Sequence, residues 1–504
     1  MSMAKLLVIG LDSADKDLML RWAADGSLPH FSRLLESGAY GEIHAAPGET
    51  AGSIWPSINT GRSQGVHGYY HDWQLKPGTY EYARMRPSDF KAAPFWETLS
   101  LAGKRIAIID VPKATISSDF NGVQILDWGN HDPGYERTRS FPESLAQTIE
   151  ARFGRDPVGS CDKISRQNPG AVGLTALRDQ LVKRIGIKVA IIQYVLDQGP
   201  WDLAVGGFAD LHCAGHQFWR VHDRHHPRFD PELAREIGNP LKDVYIALDR
   251  GIGDLLANMH PGTRLLVFSD LGMGPNYSGT FLLRDIVRRL HTHARNGGPS
   301  VVEALRWLWR KLPRSARFRG RTLISPLSRD IDLEVKGRDY FVVRSTDDSG
   351  AIRINLRGRE PAGHINPGRE YDELCEVISQ ELATIVNLET GQPLVRQVLR
   401  THRLFEGPCQ RDLPDLRLVW NRDAPIRKIY SPKIGLIERS PDYHRTGDHR
   451  PKGFYLSVGP GIRRGNLPPI TSLDLAPDIC SGLGVTLEVD GSRLRSQPET
   501  ADAR

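Results

Sequence analysis

The run Ala209–Trp219 (ADLHCAGHQFW) holds two histidines four residues apart, His212 and His216, with Asp210 just ahead of them. On a helix that spacing puts both imidazoles on one face, as a metal ion requires of helical ligands. In a chain with 17 histidines the same pattern also arises as a plain surface cluster. Its position directly after an apolar, strand-like run is what singles it out. Two acids occupy comparable places, Asp12 closing VIGLD and Asp270 closing LLVFSD. Ligands of open α/β sheets bind outside the carboxyl ends of strands, where an acid either takes part in chemistry or caps the following helix. His449 sits in the Gly-rich segment TGDHRPKG, ahead of the strand-like Phe454–Val458. Thr50 and Ser53 precede a short helical stretch in ETAGSIWPSINTGRSQGVHG. At a helix start a hydroxyl is either an N-cap or stands where amides and dipole favour a phosphoryl group. Acids, imidazoles and hydroxyls at strand ends are the groups of metal-assisted hydrolysis.

These residues need a sheet to bring them together. Lys5–Leu11, Arg105–Asp110, Val123–Asp127, Leu203–Phe208 and Arg264–Asp270 read as continuous apolar strands, the pattern of buried parallel sheet. Helical patterns separate them at Asp15–Ala24, Leu28–Ser37, Pro94–Ala102, Val182–Asp197 and Pro240–Met259. Such alternation predicts a wound α/β sheet. Residues 130–181 and 275–345 fit the rhythm poorly and are expected to be insertions forming a cap, within one α/β domain over residues 1–490. The tail at 491–504 has Leu494 as its sole large apolar residue and is expected to be disordered.

Composition narrows the function classes. The chain has 504 residues, enough for a large core, and is 39% hydrophobic and 25% charged, which is ordinary for a globular protein. Its five cysteines are an odd, scattered set without a CxxC pair, which argues against a disulfide framework and fits a reducing cytosol. The start is too short and too quickly polar for a secretory signal, and no run approaches the roughly 20 apolar residues that span a bilayer. A cytoplasmic location is therefore expected. The net charge of +6 is local: Arg284 to Arg321 carries eleven Lys or Arg against Asp285 and Glu303, a balance of +9, leaving −3 elsewhere. Binding to nucleic-acid polymers is not expected from such a distribution. Within the block, Val301–Leu312 is amphipathic; contact of residues 284–321 with an anionic membrane surface is a less favoured reading than a cap helix with a solvated charged face.

Taken in order, LVIGLDSAD, Trp55–Gly68, FSDLGMG, INLRGREPAG, HRPKG and DLAPDICSGLGV resemble the alkaline phosphatase superfamily, in its type I phosphodiesterase/nucleotide pyrophosphatase branch. The resemblance implies a three-layer α/β/α sandwich with a mainly parallel central sheet and cap insertions. It implies a phosphate-ester substrate, phosphodiester first, with a monoester or phosphonate as the alternative. It implies two divalent metal ions and a Thr or Ser nucleophile that forms a covalent phospho-enzyme, later hydrolysed by water. Carried over by position, Asp12 and Asp270 hold the ion on the nucleophile side, and His212, His216 and His449 the other, with Asp210 nearby. Asp127 and His131, in DWGNHD at another strand end, are expected to line the substrate pocket. His67, in the His-Gly element, is expected to order its loop.

Three departures stand out. Leu271 follows Asp270 where the family has a histidine, which leaves an oxygen-rich site suited to Mg²⁺ or Mn²⁺. His212 stands where an aspartate is usual, giving a three-histidine site of the kind that holds catalytic zinc. The family spacing places the nucleophile at Ala51, so a one-residue shift selects Thr50, with Ser53 second. These departures keep open a member that binds without turning over. No C-x-[PA]-x-R motif is present, which disfavours a sulfatase.

Overall fold

The computed structural model describes residues 4–131, 135, 137–159, 162, 170–295, 335, 337–441 and 445–489. The amphipathic Val301–Leu312 segment and the tail at 491–504 lie outside the described residues.

The strands that anchor the site are β1 (Ala4–Leu11), β2 (Ala39–His44), β3 (Ile106–Ile109), β4 (Gly122–Leu126), β5 (Arg139–Phe141), β6 (Trp201–Phe208), β7 (Arg264–Ser269) and β8 (Lys452–Val458). Gly465–Asn466 begins the sheet, followed by β2, β8, β7, β1, β6, β3, β4 and β5. The central strands from β7 to β4 are parallel; β8 runs antiparallel to β7 and β2, and β5 antiparallel to β4. The predicted strands and helices therefore exist, with ends shifted by a residue or two. The exception is the helix expected at Val182–Asp197, which begins at Ala171 and runs to Leu196.

Residues on alternate sides of each strand enter two separate cores, which is why the strands are apolar throughout. Leu7, Ile9 and Leu11 pack with the helices at Ala171–Leu196, Asp210–His222 and Pro240–Ala257. Leu6 and Val8 pack with Ile54–Thr60, Phe95–Leu101 and Leu475–Gly482 on the opposite face. The chain is thus an α/β/α sandwich around a mostly parallel sheet.

Within residues 130–181, the described residues include β5 at the sheet edge and a helix, Ser144–Phe153. A second body follows β7. Four antiparallel strands, in the order Tyr340–Val342, Ser349–Ile354, Leu416–Trp420 and Val395–Arg400, share a core with the helices at Thr280–Arg295 and Arg369–Ala383. Most of this body lies C-terminal to residue 345, and its strands Ser349–Ile354 and Leu416–Trp420 pair across 64 (Ile352 to Leu416) to 70 (Ser349 to Val419) residues, which leaves little local signal. No helix among the described residues is long and apolar enough to cross a membrane.

Candidate metal-binding active site

The register of three parallel strands builds the site. Leu11 of β1 pairs with Phe208 of β6 and with Ser269 of β7, so the three carboxyl ends are level. Asp12 and Asp270 follow immediately, and the helix Asp210–His222 starts two residues past β6. His212 and His216 lie on its buried face. His449 comes from a distant part of the chain, on Gly447–Arg450, which pairs antiparallel with Gly272–Pro275 so that His449 faces Met273. Close approach of this ribbon to the helix requires glycine: a Cβ on Gly447 would meet the Gly215 carbonyl oxygen at 2.2 Å.

Ser13 links the two halves. Its backbone is left-handed (φ 58°), a conformation that directs its amide to Asp270 Oδ1 at 2.7 Å. Its hydroxyl donates to Asp12 Oδ1 at 2.9 Å and lies 3.0 Å from His449 Nδ1. With the hydroxyl proton given to Asp12, His449 donates from Nδ1 and keeps its Nε2 lone pair free. His216 follows the same logic: Nδ1 donates to the Gly447 carbonyl at 2.7 Å, which leaves Nε2 as the ligating atom.

His212, His216 and His449 bring one ligand atom each within 4.8 Å of one another. His212 Nε2 and His216 Nε2 are 3.2 Å apart. Two nitrogens on one tetrahedral ion with bonds of about 2.0–2.1 Å stand about 3.3 Å apart, so the spacing suits a shared metal. All three imidazoles are held neutral. Burial pushes His449 down to about 3, and burial, then the surrounding cationic groups, hold His212 and His216 well below the usual range. His212 Nδ1 is buried without a hydrogen-bond partner among the described residues.

Five acids line this edge of the sheet, and their partners separate them. Asp110 pairs with the buried Lys188 at 2.6 Å, and Asp127 with Arg139 at 2.7 Å. Asp210 pairs with the buried Arg184 at 2.6 Å. Asp12 and Asp270 have no Lys or Arg partner among the described residues, and His131 is the basic group whose charge draws Asp12 down. Burial pushes Asp12 up to about 6; burial, then the Asp12 charge, holds Asp270 well above the carboxylate range. Asp270 Oδ2 has no hydrogen-bond partner among the described residues. Two buried carboxylates that lack a Lys or Arg partner among the described residues are the donor set a divalent cation would complete.

Two of the expected site acids have basic partners. Asp210 Oδ1 accepts from Arg184 Nε of the preceding long helix at 2.6 Å. Asp127 is committed to Arg139. His131 is brought in: its ring centroid lies 4.1 Å from that of His212. His131, His212 and Cys213 form a second group whose ligand atoms lie within 4.8 Å, sharing His212 with the first. Leu271 is buried in the apolar cluster that holds Trp55 and Phe268, so hydrocarbon fills the position where the resemblance expects an imidazole.

The two hydroxyl candidates also differ. Ser53 Oγ accepts from Thr50 N at 3.1 Å and Gln64 Nε2 at 2.7 Å, and donates to the Thr50 carbonyl at 3.0 Å. It is used up in closing the turn before Ile54–Thr60. Thr50 Oγ1 has one hydrogen-bond neighbour among the described residues, Ser53 Oγ at 3.5 Å. His67 is buried behind this turn, beside Ser57 Oγ at 3.2 Å, and accepts from Tyr69 N at 3.1 Å. Sequence reasoning missed Ser13, which a hydroxyl following a strand-end acid signals faintly. It also missed Asp348, whose carboxylate receives the Ala51 amide at 3.1 Å from the second body, and Arg445; neither has a local signal.

The profile of the family described as type I phosphodiesterase / nucleotide pyrophosphatase matches residues 6–450. A crystal structure of phosphonoacetate hydrolase from Sinorhizobium meliloti 1021, in complex with phosphonoacetate, is similar at 17% identity, with 96% of both chains covered and a TM-score of 0.52. Human ectonucleotide pyrophosphatase / phosphodiesterase 5 aligns at 13% identity, again over 96% of both chains, with a TM-score of 0.48. No curated protein matches by sequence.

Proposed function

This chain belongs to the type I phosphodiesterase / nucleotide pyrophosphatase family, a family of metal-dependent hydrolases, and from that premise we propose that it cleaves phosphodiesters through a covalent phospho-threonine. The observation that carries the reading is a single one. Two buried carboxylates without a Lys or Arg partner among the described residues face three neutral, buried histidines across the Ser13 hydroxyl.

Asp12 and Asp270 would hold one divalent ion, Mg²⁺ or Mn²⁺ by their oxygen donors, and His212, His216 and His449 the other, Zn²⁺ by its nitrogen donors. Bound there, the ions would offset charge on the attacking and leaving oxygens of an in-line displacement. Thr50 supplies the nucleophile: its hydroxyl oxygen bonds to phosphorus as one P–O ester bond breaks, its proton leaving with the departing alcohol, and water later cleaves the Thr50 O–P bond to release the remaining phosphate monoester. Ser53 holds the turn that presents it. Ser13 fixes Asp12, Asp270 and His449 relative to one another, and the Gly447 carbonyl fixes the His216 tautomer. Burial keeps the imidazoles unprotonated and free to ligate.

Leu271 favours a second reading, a member that binds phosphate esters without turning them over. Hydrolysis of an aryl phosphodiester and the matching monoester, by protein loaded in turn with Zn²⁺, Mn²⁺ and Mg²⁺, tests both. Metal-dependent turnover that is absent in His216→Ala supports the enzyme, and the better ester names its class. Folded, metal-loaded protein without turnover on either ester supports the binding reading.

A further inference from the structure

Arg445 lies in the segment that leads into Gly447–Arg450, four residues before His449. Its guanidinium is gripped on one side by Asp162, Nε to Oδ1 at 2.9 Å and Nη2 to Oδ2. That fork fixes the plane of the group. Nη2 also stands 3.2 Å from His131 Nε2, which accepts there when the imidazole is neutral, since arginine has donors only. The other ring nitrogen, Nδ1, is then the protonated one, and it faces Cys213 Sγ at 3.4 Å. The remaining terminal nitrogen, Nη1, points at His216 Nε2 from 3.4 Å.

This last contact is the informative one. His216 has already spent its Nδ1 proton on Gly447, so Nε2 carries the lone pair that would bind an ion. An arginine N–H is therefore aimed at the atom that faces the metal position. A dication and a guanidinium this close repel strongly unless an anion lies between them. A phosphoryl group answers that requirement, with one free oxygen toward the ion and another on the guanidinium. The Arg445 side chain is 27% exposed, so an entering ligand can reach it.

We propose that Arg445 contacts substrate, binding a non-bridging oxygen of the phosphoryl or phosphonyl group seated at the three-histidine site, with Asp162 and His131 as its positioning residues. The inference rests on reading that site as a metal site.

The test is calorimetric binding of inorganic phosphate to Zn²⁺-loaded protein, comparing wild type with Arg445→Gln and Arg445→Lys. Metal stoichiometry and thermal stability are measured on the same samples. The expected result is unchanged metal content and melting, with phosphate binding weakened about 10- to 100-fold in Arg445→Gln, as for loss of a charge-assisted hydrogen bond, and less in Arg445→Lys. Equal phosphate affinity in metal-loaded Arg445→Gln would overturn the proposal. So would a loss of affinity that tracks metal loss and is restored by saturating metal, since Arg445 would then merely support His216. Wild-type protein that takes up no Zn²⁺ would overturn the metal-site reading itself, a result recognisable before any phosphate is added.

Discussion

Replacing Asp12 by asparagine should make the metal-free protein more stable while removing its metal-dependent behaviour. Burial raises the Asp12 carboxyl from its ordinary 3.8 to about 6, so ionisation costs the folded state and not the unfolded one. The cost is small where both states are protonated, grows as pH rises from 3.8 to about 6, and is constant above that. By linkage it amounts to about 3 kcal/mol at pH 7.5 and about 1 kcal/mol at pH 4.5. Asparagine removes the charge and keeps an oxygen for the Ser13 hydroxyl, now 2.9 Å from Asp12 Oδ1. With an unfolding entropy of about 1 kcal/mol/K for some 500 residues, the melting temperature of chelated Asp12→Asn should exceed wild type by about 3 °C at pH 7.5 and about 1 °C at pH 4.5. Differential scanning calorimetry at the two pH values measures this. Added divalent metal should then raise the melting temperature of wild type more than that of the variant. A variant less stable than wild type at pH 7.5, or a gain of equal size at both pH values, would refute the reasoning.

Further outcomes follow from the same geometry. Thr50→Ala should lose turnover by about 10³-fold or more while keeping its metal, whereas Ser53→Ala should chiefly lose stability, about 1–3 kcal/mol for its broken turn; the reverse pattern in kinetics and melting would move the nucleophile to Ser53. Asp210→Ala leaves Arg184 buried without its closest acid and should cost about 3–5 kcal/mol, read by denaturant melts, with no change in metal stoichiometry. Metal affinity should fall as pH drops through 6, because a proton on Asp12 competes with the ion, by up to about tenfold per pH unit for each proton displaced; metal titrations at pH 7.5 and 5.5 check it. His449→Ala should lower Zn²⁺ content, measured by elemental analysis, since the remaining His212 and His216 offer two ligands.

What the linear chain determined here is the frame and the converging residues. Apolar runs closing in Asp12 and Asp270 set the sheet direction, and parallel pairing then forces strand ends to one edge. The four-residue spacing of His212 and His216 is helical geometry and needs no tertiary knowledge. Which acids are available for a metal was decided elsewhere. Asp210 and Asp127 look as suitable as Asp12 in sequence, yet Arg184 and Arg139 neutralise them in the fold. The uncommitted hydroxyl of Thr50, the bridge made by Ser13, the approach of Arg445 and the hydrocarbon around Leu271 belong to the same class. Local periodicity records how a segment folds against solvent. It does not record which charge from a remote segment meets which acid, because that pairing depends on side-chain positions that exist only once the distant elements have packed.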